Sequence, residues 1–182
     1  MRSLIIVGFL LLNGICLFGQ FNAYKKGFII LDNGDTLRGS IRHDVQEINN
    51  KVVYFKDASG LKKKYYSAEI KYFKRESEAF IRVTVDSINN KPVQRLLMVI
   101  NDGKYKLLRY KYISLLGSSG VMDPGYTPKK YYYLLNNQGV LFKILPRKYP
   151  QVIDYYFSDR KIKGKKYRYG NIATDMAALN KL

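Results

Sequence analysis

Few side chains in this chain of 182 residues are suited to chemistry. It holds one histidine, His43, and one cysteine, Cys16, so zinc and copper centres of the usual kinds are nearly excluded. Ser40, His43 and Asp44 stand close together and carry the residue types of a nucleophile, a base and an orienting carboxylate. On an extended strand, however, Ser40 and His43 project to opposite faces. The simpler reading is a polar histidine near a strand end. Glu69, Glu76, Glu78 and Asp86 supply carboxylates for a glycoside-hydrolysing pair, but no spacing singles out two of them. Asp32-Asn33-Gly34-Asp35 gathers oxygens that could hold calcium weakly. It lacks the alternating acids and distal glutamate of a calcium loop and reads as a hairpin turn. Neither a G-x-x-x-x-G-K-[ST] nor a G-x-G-x-x-G run occurs, so no nucleotide cofactor is expected.

Charge is the louder signal. The chain carries 32 Lys and Arg against 14 Asp and Glu, a formal net charge of +18. Such a balance favours anionic partners and opposes self-association. Lys, Asn, Tyr, Ile and Phe are also read from codons rich in A and T, so genome composition offers a second account of the same excess. The densest run is Arg160, Lys161, Lys163, Lys165, Lys166 and Arg168, a candidate anion-binding segment whose plainer reading is a solvated connector. Two further tracts, GKYKLLRYKY at 103–112 and KKYYY at 129–133, alternate cations with rings. A groove-facing mixture of the two would suit nucleic acid. Strand geometry accounts for them without it: Tyr105 and Leu107 share one face, then Leu108, Tyr110 and Tyr112 another. A bulge near Leu107-Leu108 would turn every ring inward and every cation outward.

The residues ahead of these tracts concern location. Arg2 followed by an apolar stretch from Leu4 to Phe18, with small Gly19 before Gln20, has the build of a cleavable signal peptide over residues 1–19. About 15 apolar residues fall short of the roughly 20 a bilayer-spanning helix needs. Cys16 lacks the small residue before it and the leucine three before it that a lipidation signal wants; Ile15 and Asn13 stand there. Cleavage after Gly19 removes Cys16 and leaves a body held by packing rather than disulfides. It also removes only one cation, for a mature balance of +17. The expected destinations are the periplasm, the outer-membrane surface or the medium, and no other stretch is long enough to span a membrane.

What remains, residues 20–182, is the length of one ordinary domain, and a chain 47% hydrophobic over its full length can build a core. Turn signals recur at strand-length intervals. Asn33-Gly34 divides GFIILD from DTLRGSIRH as a hairpin. In the second strand Leu37, Gly39 and Ile41 point one way while Arg38, Ser40 and Arg42 point the other. KVVYFKD places Val53 and Phe55 on one face, and KKKYYSAEIKYFKRE reads as two short strands or one with a break. AFIRVTVDSI turns Ile81, Val83 and Val85 inward. PVQRLLMVIN, apolar on both faces, reads as a central strand. Residues 114–128, rich in Gly and Pro, form a long loop, and strands resume at KKYYYLLN and VLFKILP. From about residue 149 the period changes. Pro150 suits a first helical turn, with Val152, Ile153, Tyr156 and Phe157 as an apolar stripe. Asn171 is placed to cap a last helix carrying Ile172, Met176 and Leu179 on one face. Asp175 and Lys181 sit where the helix dipole favours them.

GFIILDNGDTLRGSI, followed by VVYFKD, YSAEIKYFKRES, DGKYKLLRY and YYLLNNQG, resembles a group of uncharacterised exported proteins of the Bacteroidota. That group shares a G-[FY]-I…GDT-[LI]-x-G-x-I opening. The resemblance implies an export signal, a mainly β body and a helical tail, and brings no catalytic residues. The expected fold is therefore mainly β (α+β): an antiparallel meander sheet, curled toward a barrel, with two short C-terminal helices. The expected function is non-catalytic binding or scaffolding at anionic envelope lipid, glycan or acidic protein. Nucleic acid is disfavoured, and neither metal nor cofactor is expected. The alternative is an envelope hydrolase acting on glycan through a carboxylate pair.

Overall fold

The computed structural model describes residues 23–43, 51–88, 91–112, 129–162 and 164–181. The leader with Cys16, Asp44, the 114–128 loop and Lys163 lie outside them. Ten strands form one antiparallel sheet: β1 (Lys25–Leu31), β2 (Thr36–Arg42), β3 (Val52–Lys56), β4 (Lys62–Tyr66), β5 (Ile70–Arg75), β6 (Glu78–Ile88), β7 (Lys91–Asn101), β8 (Lys106–Tyr112), β9 (Lys129–Leu135) and β10 (Leu141–Ile144). Two helices follow, α1 (Tyr149–Tyr156) and α2 (Ile172–Leu179). No described helix is long and apolar enough to cross a membrane.

The sheet order is β10-β9-β8-β7-β6-β5-β1-β2-β3-β4, a meander with a single jump, because β5 pairs with β1 rather than with β4. That jump forces curvature. Tyr66 ends β4 and Ile70 begins β5, a reach of at most about 14 Å. On a flat sheet β4 and β5 would stand about 19 Å apart, at 4.8 Å per strand. The first five strands therefore coil. Residue pairing allows it: Gly27 faces Gly39 across β1 and β2, on the inner side of the coil. A Cβ on Gly27 would lie 2.0 Å from the Lys74 carbonyl oxygen, and one on Gly39 2.4 Å from that of Lys56. Only side-chain-free positions let the strands pinch so closely. The sheet is not closed, and β4 and β10 remain its two edges.

Inside this coil lie Ile29, Ile41, Val53, Phe55, Tyr65, Ile70, Phe73, Phe80 and Leu96. The second half bends the other way. Leu96 belongs to that first core, while its neighbour Leu97 packs with Leu108, Tyr110 and Tyr133 on the opposite face. Around this second core β10 curves back to touch β6. The helices cover the remaining face of β8 to β10, where Leu107, Leu134 and Ile144 meet Ile153, Phe157, Ile172, Met176 and Leu179.

Several local details differ from the sequence reading. Both faces of β8 are buried, Leu107 under the helices and Leu108 and Tyr110 in the second core, so β8 needs no bulge. The irregularity falls on its partner, between Val99 and Asn101 of β7. Asn171 occupies the N-cap position of α2, but its side chain makes no capping bond. Asp175, placed by the sequence for the helix dipole, is instead 2% exposed. The Tyr149 hydroxyl donates to its carboxylate at 3.2 Å, and Lys165 pairs with it at 2.8 Å. Burial and this carboxylate both push the Tyr149 hydroxyl well above the usual phenol range.

Candidate anion-binding face

Alternation along the coiled strands sends one set of side chains into the first core and the other outward. The outward set is unusual. β1 contributes Lys26 and Phe28, β2 Arg38 and Arg42, β3 Tyr54 and Lys56, β4 Lys62, Lys64 and Tyr66, and β5 Tyr72 and Lys74. Register interleaves them. Phe28 lies between Arg38 and Lys74, Arg42 faces Tyr54, Tyr54 faces Lys64, and Lys56 faces Lys62. Tyr24, just ahead of β1, joins the same face.

Cations rest on rings throughout this surface. The Arg42 guanidinium carbon is 4.5 Å from the Tyr54 centroid and 5.7 Å from that of Tyr24. Arg38 lies 5.8 Å from Phe28 and Lys64 5.0 Å from Tyr66. Phe28 and Tyr72 touch at 5.7 Å between ring centroids. Such contacts are worth about 0.5–1 kcal/mol each at exposed sites. They do not neutralise the positive charge themselves, and like charges directly opposed across strands, as Lys56 and Lys62 are, destabilise. The ion pairs seen among the described residues lie elsewhere: Lys25 with Glu76, Arg75 with Glu78, Arg82 with Asp32, Lys106 with Asp102, and the pairs of the helical tail. Among the described residues, the face is a cationic surface without carboxylate partners, on the outer side of the coil.

The basic run expected from the sequence has a different character. Arg160 sits 3.6 Å from Asp159, Lys161 pairs with Asp154, and Lys165 holds the buried Asp175. The bond to Asp175 holds the Lys165 ammonium above its ordinary pKa. Tyr167 is buried between these cations, its hydroxyl accepting from the Ile162 amide at 3.0 Å. Lys166 and Arg168 are exposed. Among its described residues the segment ties Lys161 to α1 and Lys165 to α2, and leaves Lys166 and Arg168 toward solvent.

The carboxylates are dispersed. Glu69 accepts a hydrogen bond from the Tyr66 amide at 2.7 Å, Glu76 and Glu78 serve the ion pairs above, and Asp86 also has a partner. A shallow groove of about 350 Å³ opens beside β2 to β4, lined by Thr36, Arg38, Phe55, Asp57, Leu61 and Lys63 among others. It carries one carboxylate, Asp57, which the Ser59 hydroxyl and the Leu61, Ser59 and Gly60 amides hold below its ordinary pKa. Two acids do not face each other there. The Asp32–Asp35 stretch is a hairpin turn with Gly34 at φ 93°, the Asn33 side chain bonded to Asp35. No cluster of three or more metal-ligating side chains occurs among the described residues. Ser40 points outward, between Lys26 and Lys56, while His43 is buried against Phe73 and Phe80.

The outward direction of Arg38 and Arg42 is legible from alternation alone. That rings share their face is not, because it depends on cross-strand register. No family model matches the chain, and neither does any curated protein or solved structure.

Proposed function

We propose that the chain is an exported, non-catalytic protein that binds anionic polymer of the cell envelope or its surroundings through the outer face of β1 to β5. The observation that carries this reading is the interleaved field of lysine, arginine and aromatic side chains without a carboxylate partner among the described residues. The leader-like residues 1–19 and the resemblance to exported Bacteroidota proteins support the location. The chain's own cations lie against these rings, so charge rather than stacking of bases is the attraction on offer.

The test is a salt titration of binding to polygalacturonate and polyphosphate, with neutral dextran as the control. Raising salt from about 0.1 M to about 1 M shortens the Debye length from about 10 Å to about 3 Å and should abolish binding. Arg38→Glu with Lys74→Glu should weaken it at least about tenfold, or about 1.4 kcal/mol. Lys166→Glu with Arg168→Glu should not. A response flat in salt, or equal loss from both double variants, refutes the assignment of this face. Mass spectrometry of the chain secreted from a bacterial host should find Gln20 as its first residue; an intact leader refutes export.

A further inference from the structure

One part of the outer face is more specific than a charged surface. Arg42 of β2, Lys56 of β3 and Lys62 of β4 converge on a single ring, at 5.7, 5.7 and 6.0 Å from the Tyr24 centroid. Lys56 and Lys62 are direct cross-strand partners. Like charges gathered around one ring repel one another, about four times more strongly near a protein surface than in bulk water. One ring attracts a cation by only about 0.5–1 kcal/mol, so Tyr24 does not balance three. No carboxylate among the described residues pairs with any of the three. The Arg42 Nε is buried without a hydrogen-bond partner among those residues.

We infer that this cluster is a binding site for a phosphate group carried on a flexible polymer. A carboxylate has two oxygens and one charge, which a single bidentate arginine satisfies. A phosphate monoester offers three terminal oxygens and close to two charges. It can therefore engage a guanidinium and two ammonium groups together. The support is convex, so a flat bilayer meets only its crest, whereas a flexible chain can follow it across β2, β3 and β4. The inference rests on the polymer-binding reading above and sharpens it.

Calorimetry with dextran carrying pendant phosphomonoesters and with polygalacturonate of matched charge number tests it on the mature chain. The phosphorylated dextran should bind at least about tenfold more tightly, since its monoester makes a charge-assisted hydrogen bond that a carboxylate does not. Lys62→Gln, on an exposed edge strand where folding is not at risk, and Arg42→Gln should each remove most of that preference. Both should lower polygalacturonate binding no more than Arg38→Gln does. Arg38→Gln, outside the cluster, should lower both affinities alike. Equal binding of the two polymers by the wild type, or a preference that survives both variants, overturns the phosphate site while polymer binding stands. Binding of neither polymer overturns both readings. Tighter binding to phosphatidic acid vesicles than to phosphorylated dextran moves the phosphate onto a membrane and overturns the polymer assignment.

Discussion

Acid should unfold this protein in a way that one residue controls. His43 is 3% exposed, its ring packed edge-on against Phe73 at 5.2 Å and Phe80 at 4.8 Å, which stack on each other at 4.4 Å. Neither ring nitrogen finds a hydrogen-bond partner among the described residues. Burial first, and then the positive charge of Arg75, lower its pKa from 6.5 to about 3. Arg75 donates to the His43 carbonyl at 3.1 Å and is held by Glu78 at 2.8 Å, while Lys25 and Glu76 pair at the same end of the coil. The native state therefore keeps His43 neutral. Below pH 6.5 the unfolded chain takes up a proton that the folded chain refuses, so stability is intact above that value and drains away toward pH 3. Each pH unit in this window costs about 1.36 kcal/mol, which is about 3 kcal/mol by pH 4 and approaches 5 near pH 3. Against a total of about 5–15 kcal/mol for a typical domain, the loss is large. Urea unfolding at pH 7 and pH 4, on the wild type and on His43→Leu, isolates it from the carboxylates, which titrate in both proteins. The wild type should lose about 3 kcal/mol more than the variant. Equal acid losses would refute the reasoning.

Two other substitutions probe the architecture. Gly27→Ala places a Cβ 2.0 Å from a backbone carbonyl oxygen and should cost about 3 kcal/mol, the top of the range for overpacking, seen as a lowered thermal midpoint. Gly170→Ala enters open space and should stay within about 0.5 kcal/mol; similar effects at both sites would count against the pinched coil. Tyr149→Phe removes the hydroxyl that serves the buried Asp175 and should cost about 1–3 kcal/mol in urea unfolding. An unchanged midpoint would mean that Lys165 alone satisfies that carboxylate.

The strands and their turns are legible in the sequence because turn chemistry is local. Asn33-Gly34 makes its hairpin with no help from distant residues, and Ser67-Ala68-Glu69 breaks β4 from β5 as the irregular run KKKYYSAEIKYF suggests. The meander and the two helices follow from the same local signals. The sheet's double curvature is not legible, since Leu96 and Leu97 look equally apolar and only three-dimensional contact assigns them to different cores. Rings were expected inside and cations outside. Tyr110 and Tyr133 obey this, but Tyr24, Tyr54, Tyr66 and Tyr72 lie among the cations of the outer face. The basic run at 160–168 stands out in the sequence because its members are contiguous. Arg42, Lys56 and Lys62 come together only through strand pairing, so no window of sequence reveals them.

The jump that brings β5 beside β1 also orders events during folding. Every other pairing joins strands that are consecutive along the chain, so each can zip up as a local hairpin. Bringing Gly27 opposite Arg75 instead closes a long loop before any contact rewards it. Until then β1 keeps one unpaired edge, and the underside formed by Ile29, Ile41, Val53 and Phe55 stays wet. A ribosome releases these four strands first, so nascent chains halted before residue 70 are the species most prone to aggregate.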